Sequence, residues 1–107
     1  MPRDLTMNVP PDLQPLIGGF LRRRQLELQQ IHEAFQQGEF EAIAFIAHRL
    51  KGNGTGYGFS ALTEIGGELE RAALQKDGGN VSALTQELSA VLNHYQKVSM
   101  GVDEGHF

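Results

Sequence analysis

FEAIAFIAHRLKGNGTGYGF, residues 40–59, is the stretch from which the fold is read. Phe40, Ile43, Ala47, Leu50 and Gly54 fall on one face when successive residues turn by about 100°. This spacing predicts a helix that begins near Glu39. It then meets a run in which four of the seven positions from Gly52 to Gly58 are glycine. Such a run should end the helix near Gly58, where a glycine supplies the left-handed exit.

Three further stretches carry the same period. Upstream, the chain leaves VPP with Asp12 expected to cap and Pro15 tolerable in an opening turn. Leu13, Ile17, Phe20, Leu28, Ile31 and Phe35 then form an apolar face that ends near Gly38. Gly18 and Gly19 weaken its start, so a separate short turn before a longer helix fits the pattern. Downstream, Ser60 offers an N-cap for a third helix with Leu62, Ile65, Leu69 and Ala72 or Ala73 inward. After the break at KDGGN, Val81, Leu84, Leu88, Val91 and Tyr95 make the cleanest face of all. No convincing strand alternation is read. Short connections make consecutive helices antiparallel neighbours. The expectation is therefore all-α: an antiparallel up-down-up-down four-helix bundle forming a single domain over residues 1–107. Its core spans about residues 12–97, with loosely held tails at 1–10 and 100–107.

A chain of 107 residues can bury one core, and it contains no cysteine, which removes disulfides, thiolate metal sites and cysteine nucleophiles. No run approaches the roughly 18 apolar residues of a membrane span, and the first fifteen residues do not resemble a secretory signal. We expect a soluble cytoplasmic protein. The formal charge of −4 argues against a nucleic-acid partner. Arg22, Arg23 and Arg24 fan around a helix rather than forming one stripe and are expected to be a solvated face.

On the helix of residues 40–57, His48 points roughly 130° away from the core direction. Lys51 and Phe45 flank it, and Gly52 sits a turn beyond on the same face. Each glycine inside a helix costs about 0.8–1 kcal/mol relative to alanine, so three at 52, 54 and 56 would cost roughly 3 kcal/mol. Close helix packing can account for Gly54, which faces inward, but not for Gly52. A bare patch beside an exposed imidazole would instead clear the approach of a partner's reacting group. Lys51 would supply positive charge for an anion at the ring, and Phe45 an apolar docking contact. Together these features suggest phosphoryl transfer onto imidazole.

AHRLKGNGTGYGF (residues 47–59), followed by LTEIGGELERAA, resembles the histidine-containing phosphotransfer domain of bacterial multistep phosphorelays. That family's pattern is a histidine, a lysine three residues later, a glycine immediately after it, and a glycine ten residues beyond the histidine. His48, Lys51, Gly52 and Gly58 match all four. The resemblance extends over about residues 12–97. The chain differs mainly in carrying Asn53 and extra glycines where alanine or serine is usual.

The resemblance implies a shuttle in which His48 accepts a phosphoryl group from a receiver-domain aspartate and passes it to another. Lys51 would stabilise phosphate charge, and Glu70, matching a Gln or Glu on the following helix, would orient the imidazole. Phe45, Arg49 and Gly52 are expected to meet the partner. The implied partners are response-regulator receiver domains and a hybrid histidine kinase, with the domain itself a monomer. It would bind no cofactor or metal, Mg²⁺ being expected on the receiver, and would be a transfer intermediate rather than an autonomous kinase. Several other readings fall away. The glycine run contains neither GxxxxGK[ST] nor GxGxxG after a strand, so no ATP site is expected. His32, His48, His94 and His106 form no histidine pair at i and i+3 or i+4, and His32, His48 and His94 have no carboxylate at those spacings on their helices, while His106 lies in the expected tail. Ser60, Ser82, Ser89 and Ser99 fit caps or solvated faces, and Tyr57 and Phe59 fit core plugs. The competing function is a non-phosphorylated four-helix domain that docks on receivers or kinases, which would have no need of His48 and Lys51.

Overall fold

The computed structural model describes residues 3–104. After a 3-10 turn over Pro11–Leu16 come α1 (Ile17–Gln36), α2 (Phe40–Tyr57), α3 (Ser60–Leu74) and α4 (Gly78–Glu104). At about 1.5 Å per residue, the 27 residues of α4 account for most of the 44 Å long axis. α1 packs on α2 and α4, and α3 on α2 and α4, which closes a four-helix bundle with chain neighbours side by side.

The apolar spacing explains the interior. Phe20, Leu21, Leu28 and Ile31 of α1 meet Ile43, Ala47 and Leu50 of α2, Leu62, Ile65 and Leu69 of α3, and Val81, Leu88 and Leu92 of α4 in one buried cluster. One end is closed by aromatic rings. Phe20 stacks on Tyr57 with centroids 4.1 Å apart and on Phe59 at 5.2 Å, and Tyr95 meets Phe59 edge-on at 4.7 Å. The connections are short because the chain can turn sharply. Gly38 after α1 and Gly58 after α2 adopt φ of 71° and 81°, left-handed values that a Cβ would oppose. Ahead of α4, the Asn80 amide donates to Asp77 Oδ1.

Several details differ from the sequence expectation. Asp12 does not cap: the 3-10 turn starts after Pro10, without a side-chain cap, and Leu16 precedes α1. Ser60 is the first residue of α3 rather than its cap, because Phe59 occupies the cap position with its ring fully buried. Arg24 is not part of a solvated face; it is 5 % exposed, beside Glu27.

Residues 3–9 are not a loose tail. Arg3, Leu5, Met7 and Val9 are half-buried and alternate with exposed Asp4, Thr6 and Asn8, which is the period-two pattern of an extended segment on a surface. Leu5, Met7 and Val9 pack against the core. The Asn8 amide donates to the Gly58 carbonyl at 2.9 Å, and Met7 bridges antiparallel to Phe59. At the far end Arg3 reaches three carboxylates. Its Nε donates to Glu87 Oε2 at 2.7 Å, while Nη1 donates to Glu68 Oε2 at 2.9 Å and to Glu64 Oε1 at 3.3 Å. These hydrogen bonds hold the Glu68 and Glu87 carboxyls below the usual carboxylate range and push the Arg3 guanidinium above its own. At the other end, α4 continues as helix to Glu104, past the expected boundary; residues 105–107, including His106, lie outside the described residues.

Candidate functional site

The site is built on the seam between α2 and α3, and glycine sets how close that seam is. A Cβ on Gly66 would lie 2.7 Å from the Lys51 backbone nitrogen and 2.9 Å from the Ala47 carbonyl oxygen, and one on Gly54 would lie 2.8 Å from the Thr63 amide nitrogen. These partners are backbone atoms that cannot turn aside. Without side chains at the two positions the helices approach closely, and the consequence falls one residue past Ala47 and one turn past Gly66. There His48 Nδ1 stands 3.0 Å from Glu70 Oε2. Lys51 Nζ approaches the same carboxylate, 3.8 Å from Oε1. The stem of Lys51 runs over Gly67, whose added Cβ would lie 3.4 Å from the lysine Cδ.

The electrostatics follow from this arrangement. Glu70 is the more enclosed member, its side chain 23 % exposed, and it lies between an imidazole that is 65 % exposed and a lysine that is 46 % exposed. With the proton on Nδ1, the ring donates to Glu70, and Nε2 has no hydrogen-bond partner among the described residues. Beyond the ring lies open space, with nothing within 4 Å of a Cβ placed on Gly52. A groove of about 970 Å³ runs past it between α1 and α2, lined among others by Gly19, Arg23 and Arg24 of α1 and His48, Gly52 and Asn53 of α2.

Phe45 and Arg49 lie on the same outward side of α2. Phe45 is 63 % exposed, and the Arg49 guanidinium sits 5.7 Å from the centre of its ring. Arg49 is also held from α1, donating to Glu27 Oε2 at 3.3 Å. His32 and His94 are exposed and stand outside this cluster, and no group of His, Cys, Asp or Glu that could hold a metal is present among the described residues.

Two contributors escaped the sequence reading. Gly66 and Gly67 set the α2–α3 approach, and their signal was available: two adjacent glycines inside a helix carry the same cost as those of α2. The second is the pair Arg24–Glu27, three residues apart on α1 and almost fully buried. Arg24 Nη2 donates to Glu27 Oε2 at 3.2 Å, and its Nε lies 2.9 Å from Oε1 in a close ion contact outside hydrogen-bond geometry. The guanidinium also covers the Phe20 ring at 4.7 Å. Burial pushes Arg24 below the usual arginine range, an effect that Glu27 opposes. Periodicity alone cannot distinguish such a pair from ordinary surface charges.

A protein-family model described as the Hpt domain matches residues 16–94. The chain belongs to the Hpt domain family. The match takes in α1, α2, α3 and most of α4, and leaves the packed N-terminal segment outside it. Neither a curated protein nor a solved structure matches. Hpt domains carry out histidine phosphotransfer in phosphorelays and generally interact with receiver domains and kinases. No described helix of this Hpt domain is long and apolar enough to cross a membrane.

Proposed function

We propose that this Hpt domain is a phosphocarrier in which His48 takes a phosphoryl group from a receiver-domain aspartate and delivers it to another receiver. The observation that carries the reading is the exposed imidazole whose Nδ1 is engaged by Glu70 at 3.0 Å while Nε2 is left without a partner among the described residues. The ring is fixed by one nitrogen and available through the other.

The chemistry requires little machinery. Phosphoryl transfer depends mainly on in-line positioning and on neutralising charge at the equatorial oxygens. The Nε2 lone pair forms the N–P bond as the P–O bond to the receiver aspartate breaks, and the aspartate leaves as a carboxylate. The ring keeps its Nδ1 proton, so the phospho-imidazolium lies against the Glu70 carboxylate. Lys51, held near Glu70 by a stem lying over Gly67, is placed to swing its ammonium onto the arriving phosphoryl oxygens. Mg²⁺ is expected on the receiver and not on this chain.

Partner access supports the same reading. Gly52 leaves the ring open from the groove side, and Phe45 and Arg49 offer an apolar and a cationic contact. We propose a cytoplasmic, monomeric domain that meets both receivers through this face. A non-phosphorylated docking domain would use the same apolar contacts but would have no use for the His48–Glu70–Lys51 cluster.

The test is phosphate uptake from a phosphorylated receiver by the wild type and by His48→Gln in parallel. We expect acid-labile, alkali-stable label on the wild type alone, with the variant folded. Label on both proteins would move the acceptor elsewhere, and label on neither would favour docking without transfer.

A further inference from the structure

We propose that Glu27, buried on α1, is a positioning residue for receiver docking: it fixes the Arg49 guanidinium on the groove that His48 also lines, with Arg24 neutralising its charge underneath. This inference rests on the phosphocarrier reading and adds to it a residue on a helix that carries neither the histidine nor its partners.

The geometry has three layers. At the bottom, Arg24 and Glu27 are 5 % and 6 % exposed, and Arg24 contacts both Glu27 oxygens at 2.9 and 3.2 Å. In the middle, Glu27 Oε2 accepts from Arg49 Nη2 across the α1–α2 interface at 3.3 Å. At the top, Arg49 is half exposed and lies against the exposed Phe45 ring. Arg49 and His48 both line the groove between α1 and α2, so the guanidinium is held on the face that carries the acceptor ring rather than free to explore solvent.

Two physical points make this more than a stabilising contact. A buried ion pair often stabilises a fold no better than apolar residues of equal volume, because both charges must be stripped of water. Stability alone therefore gives a weak reason for such a pair at this position. The second point is the charge count. Glu27 offers one negative charge to two guanidiniums, so the local set keeps a net positive charge, and exposed Arg23 lines the same groove. In a chain of formal charge −4, that places a fixed cation on the same groove as the acceptor histidine. An anionic partner face carrying a phospho-aspartate is what such a cation would attract and register. An unanchored arginine would have to be ordered during docking, which weakens binding.

The experiment measures transfer kinetics from a purified receiver domain loaded with phosphate from acetyl phosphate. Four proteins are compared with the wild type: Arg49→Gln, Glu27→Gln, the Glu27→Gln/Arg49→Gln double variant, and Arg24→Met/Glu27→Leu. The last replaces the buried pair by apolar volume and keeps a folded comparison should Glu27→Gln leave Arg24 uncompensated and fail to fold. We expect the KM for the phosphorylated receiver to rise about tenfold in Arg49→Gln and by a similar factor in both Glu27 variants, with kcat within about twofold. The double variant should be no worse than Arg49→Gln alone, because Glu27 acts through Arg49. An unchanged KM in Arg24→Met/Glu27→Leu would overturn the proposal. So would additive effects in the double variant, which would mean that Glu27 acts independently of Arg49. Failure of the phosphocarrier reading itself looks different: no protein, wild type included, would label on histidine from the receiver or from phosphoramidate.

Discussion

The glycines of α2 and its neighbours fall into two sets that obey opposite physics. Gly54, Gly58 and Gly66 are hemmed in, and an added Cβ would come within 3.0 Å of backbone atoms at each of them. Gly52 and Gly56 face open space, with nothing within 4 Å. Both sets forgo helix propensity or rotamer-bearing contacts, yet one does so to let backbones close and the other to keep a surface bare. The packed set brings Glu70 to His48. Of the open set, Gly52 lines the groove with His48 and leaves the space there empty of side chain. The difference shows that a glycine-rich run need not be a loop: through Tyr57 this one is helix, and its glycines differ in purpose from one turn to the next.

The largest expected effect tests the packed set. Gly66→Ala places a methyl group against the Lys51 nitrogen and the Ala47 carbonyl, and neither can rotate away. Removing a helical glycine should by itself help by about 0.8–1 kcal/mol. We nevertheless expect a net loss of about 1–3 kcal/mol from overpacking, seen as a melting temperature lower by at least about 4 °C. Because the seam opens where Glu70 meets His48, the hydrogen-bonded Nδ1 proton of His48 should also weaken in NMR spectra. An unchanged melting curve together with an unchanged imidazole signal would show that the seam has slack, and the comparison between the two sets would collapse.

How far the sequence carried the structure can be judged from the same residues. The four helices were legible because Ile43, Ala47 and Leu50, or Val81, Leu84 and Leu88, repeat at helical spacing, and burial of that face is what makes a helix stable in water. The outward direction of His48 and the inward direction of Gly54 followed from the same rotation. Glu70 did not: its place against His48 depends on the register between two helices, and only family resemblance pointed to it. Gly66 was visible but was not weighed as a register-setting residue. Residues 3–9 were misread for a different reason. Their alternation is short, and a cation on a tail gives no local hint that three carboxylates wait on α3 and α4. Arg24 and Glu27 were hidden because charged residues usually mark a solvated face, and only packing shows the exception.

The next effect has the opposite sign and tests the open set. Gly52→Ala adds a methyl group to solvent-facing helix, where nothing opposes it. We expect a gain of about 0.8–1 kcal/mol in stability, raising the melting temperature by roughly 4–8 °C. A larger side chain should separate stability from function: Gly52→Leu should fold at least as well as the wild type while transfer from a receiver falls. Destabilisation by alanine would mean that the face is not open. Full transfer by the leucine variant would mean that the bare patch has another cause.

The smallest effect concerns Gly58, whose packed side is the N-terminal segment itself. A Cβ there would collide with the Asn8 carbonyl, so residues 3–9 form the lid over one glycine of the packed set, and Arg3 holds the far end of that lid. The pH dependence has a definite sign. Arg3 lowers the carboxyl pKa values of Glu68 and Glu87 from an ordinary 4.5. Their contribution is therefore fully present above about pH 4.5 and is lost as the pH falls through the lowered folded-state values, because the unfolded chain then binds more protons. Both carboxylates are more than a third exposed, so solvent screening limits the effect to under about 1 kcal/mol. Amide exchange at Asn8, which donates to Gly58, is the local readout. We expect its protection to fall below pH 4.5 in the wild type and to be lower but nearly flat with pH in Arg3→Ala. If the variant kept the wild-type acid dependence, the lid would be held by Leu5, Met7 and Val9 alone, and the closure over Gly58 would be a matter of apolar packing rather than of charge.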